Sequence, residues 1–387
     1  MKEYLSTSES VSEGHPDKLA DQIADAILDA CIKEDKNSKV ACEILISGKK
    51  IIVAGEITTS ASLQDQLSEI ITDVVKGVGY IDPSHGLDYK DCQVETLLRQ
   101  QSPDISMGVI HEDGQIGAGD QGTMFGYATR ETPQLMPLPI SLAHRLVQKQ
   151  AELRKTDEIH WLRPDAKAQV TVRYENSRPV AVENVVLSTQ HSPEIAIDTL
   201  RKAVVEQIIK DVIPEELCSH NVEYLVNPTG RFVIGGPAAD TGLTGRKNVV
   251  DTYGGSCPHG GGSFSGKDPT KVDRSACYMA RYIAKNIVAA DLAQRCTVQI
   301  AYAIGVTEPV SFSVNLHDTG NVDDRKLETL IKDIFPLTPK GIIEELDLLR
   351  PIYQLTAAYG HFGRELAEFT WEKTDKVQAL NSYLNLV

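Results

Sequence analysis

Between Gly254 and Asp273 the chain reads GGSCPHGGGSFSGKDPTKVD, and six of the first thirteen residues of that run are glycine. Bare backbone admits positive φ and close approach, so several N–H groups can turn toward one anion. Lys267 and Lys271 add positive charge, and Asp268 and Asp273 offer hard oxygen ligands for a divalent cation. A polyphosphate with its magnesium asks for this mixture, although a Gly-rich surface turn with scattered charges is the plainer alternative. Asp268-Pro269 reads as N-cap and N1 of a helix in which Val272, Ala276, Ala280, Ile283 and Ile287 recur at helical spacing. The glycines then end at a helix N-terminus, whose free N–H groups favour anions. Gly261, Gly266 and Lys267 also fit the start of a P-loop, but Asp268 stands where Ser or Thr should bind magnesium, and Pro258 interrupts the strand that should precede the loop.

Other stretches carry related chemistry. SEGHPDK sets His15 and Asp17 at a second helix N-terminus, where they could meet a phosphate oxygen and a magnesium ion, or Asp17 could be a simple first-turn acid. Glu43 and Glu56 sit in apolar strand-like runs, either facing solvent by alternation or serving as ligands. Gly117 to Gly122 places three glycines around Asp120, which suits a turn with an Asp cap as well as a site. The segment before it, with Pro103, Gly108 and Gly114, is composed like a mobile lid or a plain connector, and the boundaries 101–117 are assigned to it. NPTGRFVIGGPAADTGLTGRK gathers Arg231, Phe232, Asp240, Arg246 and Lys247 among glycines, suiting an anionic ligand. Phe232 could stack on a base or pack a methylthio group, or simply belong to a core. No G-x-S-x-G elbow, HExxH or paired Cys/His ligand set occurs, so the chemistry points to charge stabilisation rather than a protein nucleophile.

The elements that must hold these loops repeat. Pro16 to Lys33 is a helix, Val40 to Ile46 and Ile51 to Thr58 form a hairpin, and Ala61 to Lys76 is a helix. The same order returns with a helix at Ile140 to Arg154, strands at Ala168 to Tyr174 and Val180 to Ser188, and a helix at Glu194 to Asp211. It returns again with a helix from Pro269 to Arg295, strands at Val298 to Ile304 and Val310 to Leu316, and a helix at Asp324 to Ile334. A period of roughly 125 to 130 residues is domain-sized. The expected fold is α+β, with three pseudo-threefold-related domains, each a small, mostly antiparallel sheet covered by helices, at 1–100, 118–232 and 233–387. Chance recurrence in a mixed chain is the alternative, and if the repeat is real, sites belong where domains or subunits meet.

With 387 residues and 41% apolar content the chain can bury a large core. A net charge of −15 disfavours non-specific nucleic-acid or membrane-surface binding and points to a small-molecule partner. Seven dispersed cysteines without a CxxC pair read as reduced thiols. The amino terminus lacks an apolar signal region and no long apolar run occurs, so a soluble cytoplasmic protein is expected.

SEGHPDK, GAGDQG, NPTGRFVIGGP, DTGLTGRK and GGGSFSGKDPTKVDRSA, in this order, resemble the S-adenosylmethionine synthetases (methionine adenosyltransferases), from Ser6 to HFGRE at His361 to Glu365. The resemblance implies that ATP, L-methionine and water give S-adenosylmethionine, phosphate and diphosphate, with two Mg2+ per site and K+. It implies catalytic His15, Lys167, Arg246, Lys247 and Lys267 around the triphosphate, with Asp165, Arg231, Phe232, Asp240 and Ser263 also on ATP. Glu56, Gln101, Asp120, Asp240 and Lys271 would surround methionine. Asp17 and Asp273 would hold magnesium, and Glu43 would serve potassium. Active sites shared within a homodimer, usually paired into a homotetramer, are implied too. Ser263 stands where many relatives have alanine, and Ile105 to Ile116 matches the family poorly. An ordinary ATPase or kinase using Lys267, or a non-catalytic ATP sensor, are the rival readings.

Overall fold

The computed structural model describes residues 3–100 and 116–384. In chain order the principal elements are β1 (Glu3–Val11), α1 (Pro16–Glu34), β2 (Lys39–Ser47), β3 (Lys50–Thr58), α2 (Leu63–Val78), β4 (Gln93–Arg99) and β5 (Gly122–Thr129). Next come α3 (Leu138–Lys155), β6 (Leu162–Glu175), β7 (Arg178–His191), α4 (Ile197–Val204) and β8 (Cys218–Val226). The last third holds β9 (Gly242–Leu243), α5 (Val272–Ala289), β10 (Arg295–Tyr302), β11 (Ser311–Asn315) and α6 (Asp324–Ile334).

These strands form three principal sheets, ordered β9-β2-β3-β4, β1-β6-β7-β8 and β11-β10-β5. All pairs are antiparallel except β3 with β4 and β7 with β8. Helices α1, α3 and α5 pack on the three sheets in turn, so the α+β architecture agrees with the helix, hairpin, helix order of the sequence. Strand exchange is an added feature. The first segment lends β1 to the central sheet, the central segment lends β5 to the third, and the third lends β9 to the first. Exchange in one cyclic direction is what a threefold arrangement of similar units produces.

Alternation sets the inner faces. Val40, Cys42, Ile44 and Ile46 of β2 and Ile51 and Val53 of β3 are buried, packed with Leu19, Ile23, Ile27 and Cys31 of α1. Each full aliphatic burial is worth about 1.5–3 kcal/mol. Residues of opposite parity, among them Leu45, Ile52, Ala54 and the exposed Leu97, stay accessible on the other face. A second core lies between α3, α4 and the central sheet.

The helix expected from Pro269 starts at Val272 instead, with Lys271 as its N-cap. Asp268 does not cap it. Its carboxylate accepts from the Val40 N–H (2.7 Å), the Thr270 N–H (2.9 Å) and hydroxyl (2.6 Å), and Lys271 Nζ (2.5 Å), which leaves it little capacity as a cation ligand. The residues 266–268 are spent as an extra edge on β2. Cys42 donates its N–H to Gly266 (2.9 Å) and Asp268 donates to Val40 (3.0 Å), with Ala41 bridging Lys267.

Candidate active site

His15 caps α1, its Nδ1 accepting the Asp17 N–H at 3.1 Å. That bond puts the ring proton of the neutral form on Nε2, leaving one N–H donor for a ligand oxygen. Burial, then the charges of Lys247 and Lys167, lower the His15 pKa to about 3, so the ring is neutral at physiological pH.

Asp17 is fully buried, yet its carboxyl is held below the usual range. Burial works against ionisation, and hydrogen bonds from Lys247 Nζ (2.7 Å) and the Leu243 N–H (3.0 Å) override it. Arg246 Nε lies 3.5 Å from the same carboxylate, its guanidinium half exposed. Lys167 sits exposed on β6 beside the end of β1, in register with Val11. One carboxylate, one neutral imidazole and three cations thus converge on the start of α1.

The second group lies on the β2 edge. Lys267 Nζ is 2.7 Å from Asp273 in the first turn of α5. A Cβ at Gly262 would fall 2.2 Å from Asp273 Oδ1, so any larger residue there would push this carboxylate aside. Glu43 is exposed on β2, and Glu56 on β3 lies opposite Ala41 and shares its face, half-buried. Gly119, beside the exposed Asp120, would place an added Cβ 3.2 Å from Thr270 O and 3.9 Å from Lys271 Cα, so this loop packs against the 270–271 backbone. The loop at 244–245 docks on the same strand, where Thr244 Oγ1 accepts the Ile44 N–H at 3.0 Å, and Gly245 abuts Ser263.

Asp165 is buried, with Oδ2 accepting the Gly236 N–H at 2.9 Å and Oδ1 left without a partner. Burial raises its pKa to about 6 against the pull of that N–H and of Lys167. A buried orphan acceptor beside a glycine turn suits a ligand N–H or O–H. Half-buried Phe232 is pinned by its backbone, which exchanges hydrogen bonds of 3.0 Å with His191 on both sides. Arg231 and Asp240 are exposed, the Asp240 carboxylate accepting the Thr241 N–H. Gln101 and most of the lid segment lie outside the described residues.

Among the described residues no group of three or more His, Cys, Asp and Glu could enclose a metal. Asp17 and Asp273 each stand alone beside lysines, which fits magnesium, a cation held by one or two carboxylates plus phosphate oxygens and water. A cavity of about 660 Å3 opens elsewhere, beside Arg130, Arg178, Arg295 and His317, and none of the loop side chains described above lines it.

Sequence reasoning missed the residues beneath the loops. Lys18 is buried between Asp21 (2.9 Å) and Asp251 (2.5 Å), and Arg274 lies fully buried in a bidentate pair with Asp25 (2.7 and 2.9 Å). Removing one partner of such a buried pair costs about 3–5 kcal/mol. Their signal was present as aspartates at 17, 21, 25 and 29, four residues apart in α1.

Family models for S-adenosylmethionine synthetase match most of the chain: the N-terminal domain at residues 3–103, the central domain at 115–232 and the C-terminal domain at 234–373. The chain is 59% identical over 385 residues to an S-adenosylmethionine synthase of Helicobacter hepaticus, covering 100% of this chain and 99% of the relative. It is 58% identical to one of Nitratiruptor sp. over 387 residues (100% and 99%) and 58% identical to one of Helicobacter pylori over 380 residues (98% of each).

Proposed function

Because the chain belongs to the S-adenosylmethionine synthetase family, an enzyme family of adenosyl transferases, we propose that it joins L-methionine to ATP by displacing the whole triphosphate. The observation that carries this reading is the distribution of charge. Lysines and an arginine carried on glycine loops crowd two single carboxylates at helix N-termini, and nothing in the set is an activated nucleophile. The methionine sulfur attacks ribose C5′ with its lone pair, the C5′–O bond breaks, and the electron pair leaves on the triphosphate as the sulfur becomes a sulfonium. A thioether needs no general base, so alignment and leaving-group stabilisation suffice.

Lys247, Arg246, Lys167 and Lys267 neutralise the departing charge, and neutral His15 donates its Nε2–H. Asp17 and Asp273 would hold magnesium, which would add positive charge beside the departing triphosphate. Water then cleaves the triphosphate to phosphate and diphosphate while the same cations offset the transferred charge. Phe232 is assigned to the adenine and Asp165, Arg231, Asp240 and Ser263 to the rest of ATP. Glu56, Gln101, Asp120, Asp240 and Lys271 are assigned to methionine, and Glu43 to potassium.

The two loop groups are read as halves of sites completed by a second copy, in a homodimer paired as a homotetramer in the cytoplasm. The accessible sheet face with Leu45, Ile52, Ala54 and Leu97 supports such pairing, and no described helix is long and apolar enough to cross a membrane. The segments 1–100, 118–232 and 233–387 are kept as domains, with 101–117 as the lid. The test is incubation with ATP, magnesium and potassium, with and without methionine, followed by mass spectrometry. S-adenosylmethionine with phosphate and diphosphate is expected. ADP formed regardless of methionine would overturn the reading in favour of an ATPase, and ATP bound but unconsumed would favour a sensor.

A further inference from the structure

One face of α1 carries Asp17, Asp21, Asp25 and Asp29, one acid per turn. Each accepts backbone N–H groups from segments more than 200 residues away in the chain. Asp17 Oδ1 takes Leu243 (3.0 Å), Asp21 Oδ1 takes Gly245 (2.9 Å) and Asp25 Oδ1 takes Gly266 (2.8 Å). Asp29 takes Tyr353 and Gln354 (2.9 Å each). The first three are fully buried, and each has a cation on it: Lys247, Lys18 and Arg274 respectively.

Gly245 and Gly266 both have positive φ, and each immediately precedes a cation of the candidate site, Arg246 or Lys267. A helix rises about 1.5 Å per residue, so successive rungs stand about 6 Å apart and are rigid. We propose that Asp21 and Asp25 are positioning residues that set where the 245–247 and 266–267 loops present their cations. They reach the triphosphate only through those loops. The last rung, Asp29, performs the same bonding on a segment that carries none of the assigned site residues, and so serves as an internal control.

The inference rests on the phosphate reading of the loops given above, so it is tested with inorganic tripolyphosphate as well as with the full reaction. In the intact oligomer, Asp21→Ala is expected to lower kcat and tripolyphosphate affinity at least tenfold while the methionine KM stays within twofold. Asp21→Asn, whose amide oxygen can still accept the Gly245 N–H, should recover most of that loss. Where Asp21→Ala does not fold, Asp21→Glu replaces it, keeping the charge beside Lys18 but moving the acceptor by a methylene; it should share the loss. Asp29→Ala should change melting only, with kcat and tripolyphosphate affinity as in the parent. Folded Asp21→Ala or Asp21→Glu with parental kcat and tripolyphosphate affinity would overturn the proposal, as would equal losses in the Asp21 and Asp29 variants. A parent protein that binds tripolyphosphate but makes no S-adenosylmethionine would instead overturn the assigned reaction and leave the ladder to be judged on binding.

Discussion

Two glycines in one loop give expectations of very different size for the same substitution. Gly261 and Gly266 have φ of +97° and +78°, so alanine at either incurs the left-handed penalty of about 1–2 kcal/mol. At Gly261 an added Cβ meets nothing within 4 Å, and the cost stops there. At Gly266 it would lie 1.9 Å from Cys42 O and 3.2 Å from Ala24 Cβ, a collision with strand backbone that cannot rotate away. The loop must lift off β2. Doing so breaks the Cys42-to-Gly266, Asp268-to-Val40 and Val40-to-Asp268 hydrogen bonds, each worth about 0.5–1.5 kcal/mol. Gly266→Ala is therefore expected to cost about 3–6 kcal/mol, against about 1–2 for Gly261→Ala. It also carries Lys267 away from Asp273, and a displacement of about 1 Å at a catalytic group can cost about a hundredfold in rate. Urea denaturation and methionine-dependent phosphate release measured on both variants check this. Equal stability and equal turnover for the two would refute the claim that the β2 edge holds Lys267 in place.

Other expectations follow from the same geometry. Lys267→Ala should reduce turnover at least a hundredfold while methionine binding, followed by isothermal titration, changes little; unchanged turnover would remove Lys267 from the triphosphate. Asp273→Ala should shift the magnesium dependence of turnover upward, and a superimposable titration would remove Asp273 from the metal. His144 is buried with Nδ1 2.7 Å from Ser10 Oγ, and burial lowers its pKa to about 3, so the unfolded chain binds its proton first as pH falls below 6.5. Stability from this residue is complete above pH 6.5 and lost below it, by about 2 kcal/mol at pH 5. In denaturation series at pH 7 and pH 5, His144→Gln should show a difference smaller than the parent's by that amount, and identical pH dependence would contradict the assignment.

What the sequence disclosed depended on how each residue bears its load. Glycine loops with charges were legible because positive φ leaves a compositional trace, and α1 was bounded closely by Pro16 and its apolar stripe. The hairpin β2–β3 was legible from alternation. β1 was not, because its stretch EYLSTSESV is mostly polar and it finds its place only by pairing with β6 from the central segment. The start of α5 was misjudged because Asp-Pro mimics a cap, whereas tertiary bonding to β2 takes Asp268 for another purpose. The four-residue spacing of the α1 aspartates was in the sequence, but their burial becomes visible only once the loops 200 residues on are laid against them.

The central claim is that the bond broken in ATP is C5′–O, with the intact triphosphate as leaving group. ATP labelled with 18O at the oxygen bridging C5′ and the α-phosphorus tests it directly, in one turnover with methionine. Cleavage of C5′–O predicts that the label is recovered in the phosphate products and that the S-adenosylmethionine carries none. Label retained in a nucleoside product such as ADP would place the attack at phosphorus and rule out displacement at C5′.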